Sequence, residues 1–177
     1  CNYITSVTNN NSLLSVGNYG FYKCIALESV DISAKSLGDY CFEYCDVLSS
    51  LELNSLESLG QYAFAHNPLL KNVKLPKNLK TIGAYAFAYC EGLETINIPE
   101  STQSVGGALL YSSENIKEVH IQNTGYCEYG GGFISNLNDA ESLNYTLYIN
   151  DLVSWCNNGF LSAEANPMLY AKNVYIE

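Results

Sequence analysis

The 177-residue sequence contains no arginine, two histidines, one tryptophan and one methionine, and only 15% of its residues are charged. Each scarcity excludes something. Without arginine the side chain best suited to bidentate phosphate contacts is missing, and eight lysines against eighteen carboxylates leave a net charge of -10, which repels a phosphate backbone. Nucleic acid is therefore not an expected partner. No apolar run reaches the roughly 20 residues of a membrane helix, and the N-terminus lacks the basic start and apolar block of a signal peptide. No membrane insertion is expected of this stretch.

Catalytic and metal signatures are equally scarce. There is no HExxH, no CxxC pair and no DxDxDG calcium loop, so neither metal nor cofactor is expected. A Cys/His or Ser/His site would have to use His66 or His120, and both fall in tolerant columns of the pattern described below. Glu28 with Asp31, or Asp139 with Glu141, could form a glycosidase pair, but solvated surface charge is the stronger reading. The glycines at 130–132 read as a flexible insert rather than a phosphate loop, since no strand pattern leads into them. The NxS and NxT matches at Asn10 and Asn144 are common by chance. The chain is expected not to be an enzyme.

What the sequence does have is a period. Segments starting at Val16, Leu37, Leu59, Ile82 and Val105 align, advancing by 21, 22, 23 and 23 residues. Gly17, Gly38, Gly60, Gly83 and Gly106 form one column, which calls for positive φ or close backbone approach. Phe21, Phe42, Phe64, Phe87 and Leu110 form a large apolar column, preceded by two residues by Tyr19, Tyr40, Tyr62 and Tyr85. An LxxLxL pattern follows, as in Leu93, Ile96 and Ile98, and predicts one short strand per unit with one buried face. Pro76 and Pro99 close two of these strands. A unit of about 22 residues with one strand and one turn cannot bury its own apolar face, so units must stack into a parallel sheet.

Cys1, Cys24, Cys45 and Cys90 share a column with Asn67 and Ser113. Neighbouring rungs are close enough for a disulfide, but the Asn and Ser substitutions favour a packed ladder of free thiols. Cys1 in this column implies a chain that starts partway through a rung, with Ile4 and Val7 matching Leu27 and Val30; a lipidated first residue is the other reading.

The unit TIGAYAFAYCEGLETINIP at 81–99 resembles a near-consensus BspA-like leucine-rich repeat. The resemblance covers residues 1–122, as one partial and five full repeats, and departs in the fifth unit, where ALLYSS replaces YAFAYC. Residues 123–177, with NYTLYI at 144–149 and KNVYIE at 172–177, read as longer, degenerate repeats continuing the same solenoid. The implied fold is α/β: a right-handed leucine-rich-repeat solenoid with short parallel strands on a concave face and short helical or 3-10 turns opposite. The family is secreted or surface-anchored in bacteria and some protozoa, and several members are regarded as adhesins. The resemblance thus implies an extracellular or cell-surface recognition module with a protein or glycan partner. The alternatives are a structural spacer, or a non-catalytic appendage of an enzyme whose catalytic domain lies outside this chain.

Residues between the buried strand positions would line the exposed sheet face. Its central column is Asp31, Glu52, Lys74, Asn97, His120, Tyr148 and Tyr175, running from acidic through basic and neutral to aromatic. Tyrosine supplies large contact area at little entropic cost, so the aromatic end is the expected anchor.

Overall fold

The computed structural model describes residues 1–9, 13–133, 144–169 and 171–177. Every strand pair in it is parallel, and the strands stack rung upon rung. The predicted strands are present at Ser6–Thr8, Ser29–Ile32 and Ser50–Leu53 in one sheet, and at Asn72–Lys74, Thr95–Ile98, Glu118–Ile121, Tyr145–Ile149 and Ala171–Ile176 in another. Val7 pairs with Val30, as the shared column requires. Between Ser50–Leu53 and Asn72–Lys74 no ladder forms. Two residues suit that gap. Pro76 has no N–H to donate where Asn54 donates to Ile32 and Gln122 donates to Ile98. Pro99 creates the same loss one rung later, but there the Asn97 amide bridges both Leu75 N–H (2.9 Å) and Leu75 C=O (3.4 Å); Lys74 cannot bridge this way.

Each unit also holds a second strand that the sequence reading missed. Leu13–Val16, Ala34–Leu37, Ser58–Leu59, Thr81–Ile82, Ser104–Val105, Glu128–Tyr129 and Gly159–Phe160 form an unbroken seven-stranded parallel ladder. Glu128–Tyr129 leads directly into the glycines at 130–132, so these are not a loose insert. Gly130 extends the glycine column.

That column answers to close approach, not to positive φ, because none of its members has a positive φ. A Cβ on Gly60 would lie 2.5 Å from the carbonyl carbon of Gly38, and one on Gly83 would lie 2.4 Å from that of Gly60. Gly17 begins the column and meets nothing within 4 Å.

The turns opposite the strands are not helical. Two residues per unit, such as Tyr40 and Tyr44 or Tyr62 and His66, take left-handed φ values near 52–59°, which breaks any helical run. The left-handed residues turn alternate N–H groups along the stack: Tyr40 donates to Gln61 (2.8 Å), Phe42 to Ala63 (2.8 Å) and Tyr44 to Ala65 (3.2 Å). These inter-rung bonds hold a conformation that non-glycine residues otherwise disfavour by about 1 kcal/mol or more. Among the described residues, helix is confined to Leu152–Cys156 and two 3-10 turns, Ala163–Ala165 and Pro167–Leu169.

The core lies between the ladders. Phe42, Phe64 and Phe87 are fully buried and stacked at 5.2 and 5.5 Å, with Cys41, Ala63 and Ala86 packed beside them. The cysteine column is a hydrogen-bonding column. Cys45, Asn67, Cys90 and Ser113 each donate to the carbonyl of the aromatic-column residue one rung earlier, namely Phe21 (3.3 Å), Phe42 (2.9 Å), Phe64 (3.1 Å) and Phe87 (2.8 Å). Any small donor satisfies that buried carbonyl, which is why Cys, Asn and Ser interchange. The expectation of free thiols fails at the first rung: Cys1 and Cys24 form a disulfide, with Cα atoms 4.5 Å apart. Cys41, Cys45, Cys90, Cys127 and Cys156 are free.

Candidate binding face

The exposed sheet face is built by strand alternation: with Val119 and Ile121 buried, Glu118 and His120 must point outward. Register brings the predicted column together in two blocks. Asp31 pairs with Glu52, while Lys74, Asn97, His120, Tyr148 and Tyr175 pair in succession. The ladder gap separates Glu52 from Lys74. A second outward column runs alongside, with Asn72, Thr95, Glu118, Thr146 and Asn173 in register.

The two ends of the face differ chemically. At the N-terminal end Asp31 accepts from Asn54 (3.2 Å), and both acidic residues are exposed. At the C-terminal end His120 stacks on Tyr148 at 4.4 Å and 3°, and Tyr148 stacks on Tyr175 at 5.5 Å. Two carboxylates flank the histidine: Nε2 lies 3.5 Å from Glu118 and Nδ1 lies 3.4 Å from Glu177. Desolvation, with Glu118, Tyr175 and Glu177 nearby, pushes the Tyr148 phenol above its ordinary pKa, so it remains a neutral hydrogen-bonding group. The stack is thus a rigid aromatic surface with an acidic rim.

Asn97 does not behave like its column neighbours. Its amide is committed to the Leu75 backbone, so it shapes the face rather than offering a free side chain. Sequence reasoning also missed two recesses, one beside the gap and one over the continuous ladder next to it. One of about 630 Å³ is lined by Glu52, Asn54, Lys74, Lys77, Asn78 and Asn97 among others. A second, of about 320 Å³, reaches Glu118 and His120. Their signal was present in the two prolines and in Lys74 standing where Asn97 stands one rung later.

His66 lies on the turn side in the column of Lys23, Tyr44, Tyr89 and Ser112. It is half-buried between Tyr44 (4.2 Å) and Tyr89 (4.3 Å), and burial lowers its pKa. Neither histidine is hydrogen-bonded to a serine or cysteine among the described residues. Glu28 and Asp31 lie on exposed positions, whereas Asn10, Asp139 and Glu141 lie outside the described residues. No group of three or more His, Cys, Asp or Glu side chains among the described residues is placed to hold a metal ion. Among them, too, no helix is long and apolar enough to cross a membrane.

Solved structures share this architecture. A leucine-rich repeat protein from T. pallidum matches with TM-score 0.72 at 20% identity, over 82% of this chain and 73% of that one. A leucine-rich cell surface protein from Faecalibacterium prausnitzii matches with TM-score 0.64 at 16% identity, over 88% and 54%. A leucine-rich repeat protein from Eubacterium ventriosum matches with TM-score 0.62 at 24% identity, over 72% and 34%. The chain therefore spans about half of the second and a third of the third. No curated protein matches the sequence. The BspA type leucine rich repeat profile matches residues 1–69 and 57–152 in six copies, and the chain belongs to that family.

Proposed function

We propose that this chain is a recognition module of a secreted or cell-surface protein, adhesin-like, which engages a protein or glycan partner through the sheet face. Repeats of this family are generally non-catalytic and serve protein interaction, and a structural neighbour carries the description of a cell surface protein. Residues 1–122 and the longer coils of 123–177 act together as one solenoid, taken as right-handed like other parallel β crossovers. The observation that carries the reading is the His120, Tyr148 and Tyr175 stack, an ordered aromatic surface exposed at the end of the face. Rigid aromatic anchors dominate binding energy in recognition surfaces.

The test is a solid-phase screen of the intact chain against extracellular matrix proteins and glycans, followed by Tyr148→Glu and Tyr175→Glu. Loss of a buried tyrosine anchor costs about 2 kcal/mol or more, about thirtyfold in affinity. Unchanged affinity in both variants would remove the face from consideration. The unbroken seven-stranded ladder favours a second reading, a stiff spacer, which predicts no ligand in that screen.

A further inference from the structure

We infer that the partner of this face is a neutral, hydroxyl-rich glycan, seated in two neighbouring recesses, the larger beside the opening in the strand ladder and the smaller over the paired strands that follow it; this rests on the recognition role proposed above. The recesses are continuous, because Lys74, Asn97 and Gln122 line both.

Three features of the lining select the ligand class. The first is its amides: Asn54, Asn78, Gln122 and Asn150 line the larger recess, beside Asn97, whose own amide is bound to the Leu75 backbone. A carboxamide offers donors and acceptors on one planar group, which suits neighbouring hydroxyls that must each both donate and accept. Two of these amides are held in place, Asn54 by the Asp31 carboxylate at 3.2 Å and Asn150 by the Gln122 carbonyl at 2.6 Å. A preorganised donor loses less entropy on binding.

The second is the charge balance. Lys74 and Lys77 face Glu52 and Glu100 in the same lining, and among the described residues none of the four makes an ion pair. The larger recess therefore carries no net charge and Glu118 adds a carboxylate at the smaller one, so the lining does not draw in an anionic ligand. Each remains competent toward a hydroxyl, the carboxylates as acceptors and the ammonium groups as donors.

The third is the platform at the far end. The His120 nitrogens lie within 3.5 Å of the Glu118 and Glu177 carboxylates, and one ring face is covered by Tyr148. The opposite face is turned toward the rung of Asn97, where His120 lines the smaller recess. An aromatic face accepts the C–H side of a sugar ring. A protein ligand would instead need an apolar socket, yet Leu53, Leu75 and Pro99 in the lining are buried.

The experiment uses an array of neutral oligosaccharides (hexose and N-acetylhexosamine) beside uronate- and sulfate-bearing ones, probed with the whole chain. Neutral oligosaccharides should be retained, and affinity should change less than about twofold between 50 and 500 mM NaCl. The double variant Asn78→Ala with Glu100→Ala should lose about tenfold or more. Neither side chain hydrogen-bonds within the described chain, so the thermal midpoint should be unaltered and the loss attributable to the site. Retention of acidic glycans only, with steep salt dependence, overturns the inference. So does a protein ligand lost with Tyr175→Glu but indifferent to the double variant, a result that leaves the recognition role intact. Absence of every ligand overturns both.

Discussion

Replacing Gly83 by alanine tests the stacking most sharply, because the glycine column makes an asymmetric prediction. A Cβ at Gly83 would lie 2.4 Å from the Gly60 carbonyl carbon and 2.5 Å from the Gln61 nitrogen. Both atoms are backbone. They cannot swing aside, since Gly60 N–H is bonded to Leu37 (2.8 Å) and Gly83 N–H to Leu59 (2.8 Å). Forcing a methyl group into a packed interior costs about 1–3 kcal/mol, and a contact with fixed backbone belongs at the upper end. Alanine also removes unfolded-state entropy, worth about 0.4–1 kcal/mol in the opposite direction. The net expectation for Gly83→Ala is a loss of about 2 kcal/mol, a fall in thermal midpoint of roughly 4–8 °C for a chain this size. Gly17→Ala makes no such contact and should leave stability unchanged or raise it by about 0.5 kcal/mol. Equilibrium urea unfolding of both variants, followed by circular dichroism, measures the difference. Equal effects at the two positions would refute close approach as the reason for the column.

The cysteines and their column make four further predictions. Asn67→Ala removes bonds to Phe42, Phe64 and Cys45 in a fully buried site and should cost about 2–4 kcal/mol, whereas Asn67→Cys, which keeps the donor, should recover part of that loss in the same urea assay. Maleimide at pH 8 should label Cys156 quickly and leave Cys41, Cys45, Cys90 and Cys127 unmodified until the chain unfolds, as read by intact mass; fast labelling of a second thiol would show that the core opens. Burial pushes the Cys90 thiol up to about 12 and Cys45 up to about 11, so the folded state favours the neutral thiols; their contribution holds below pH 9.0 and is lost as pH rises from 9.0 toward 12. The urea midpoint should therefore fall between pH 8 and 11, and fall less in Cys90→Ser. Reducing the Cys1–Cys24 bond, which closes a separation of 23 residues, should cost about 3 kcal/mol and loosen the strand Ser6–Thr8 first in hydrogen exchange.

The sequence carried the long-range order of the fold because each column repeats a physical demand. An inward strand position recurs as Val30, Val73, Ile96 and Val119, all buried, and as the half-buried Leu51, and strand register follows from it. The second ladder was illegible since strands such as Thr81–Ile82 hold two residues, too few for alternation to show. Glycine offered two explanations at Gly60, and only the neighbouring rung decides between them. Left-handed φ fell on tyrosines, where side-chain chemistry gives no warning and inter-rung bonds supply the reason. In the cysteine column, Asn67 and Ser113 argued correctly against bridging at Cys45 and Cys90, but carried no information about Cys1 and Cys24. The face itself was legible as a column. Its larger recess was not, because it lies beside a ladder bond that Pro76 cannot make.

Two tyrosines offer a matched comparison for the recognition claim. Tyr175 lies on the sheet face and Tyr19 on the turn segment; they are 54% and 55% exposed, and each ends a ring stack, on Tyr148 and Tyr40. Affinity for one ligand, measured by surface plasmon resonance with Tyr175→Glu and Tyr19→Glu, separates the two surfaces directly. The predicted result is about thirtyfold weaker binding for Tyr175→Glu and unchanged binding for Tyr19→Glu. The reverse pattern would place recognition on the turn side and contradict the account.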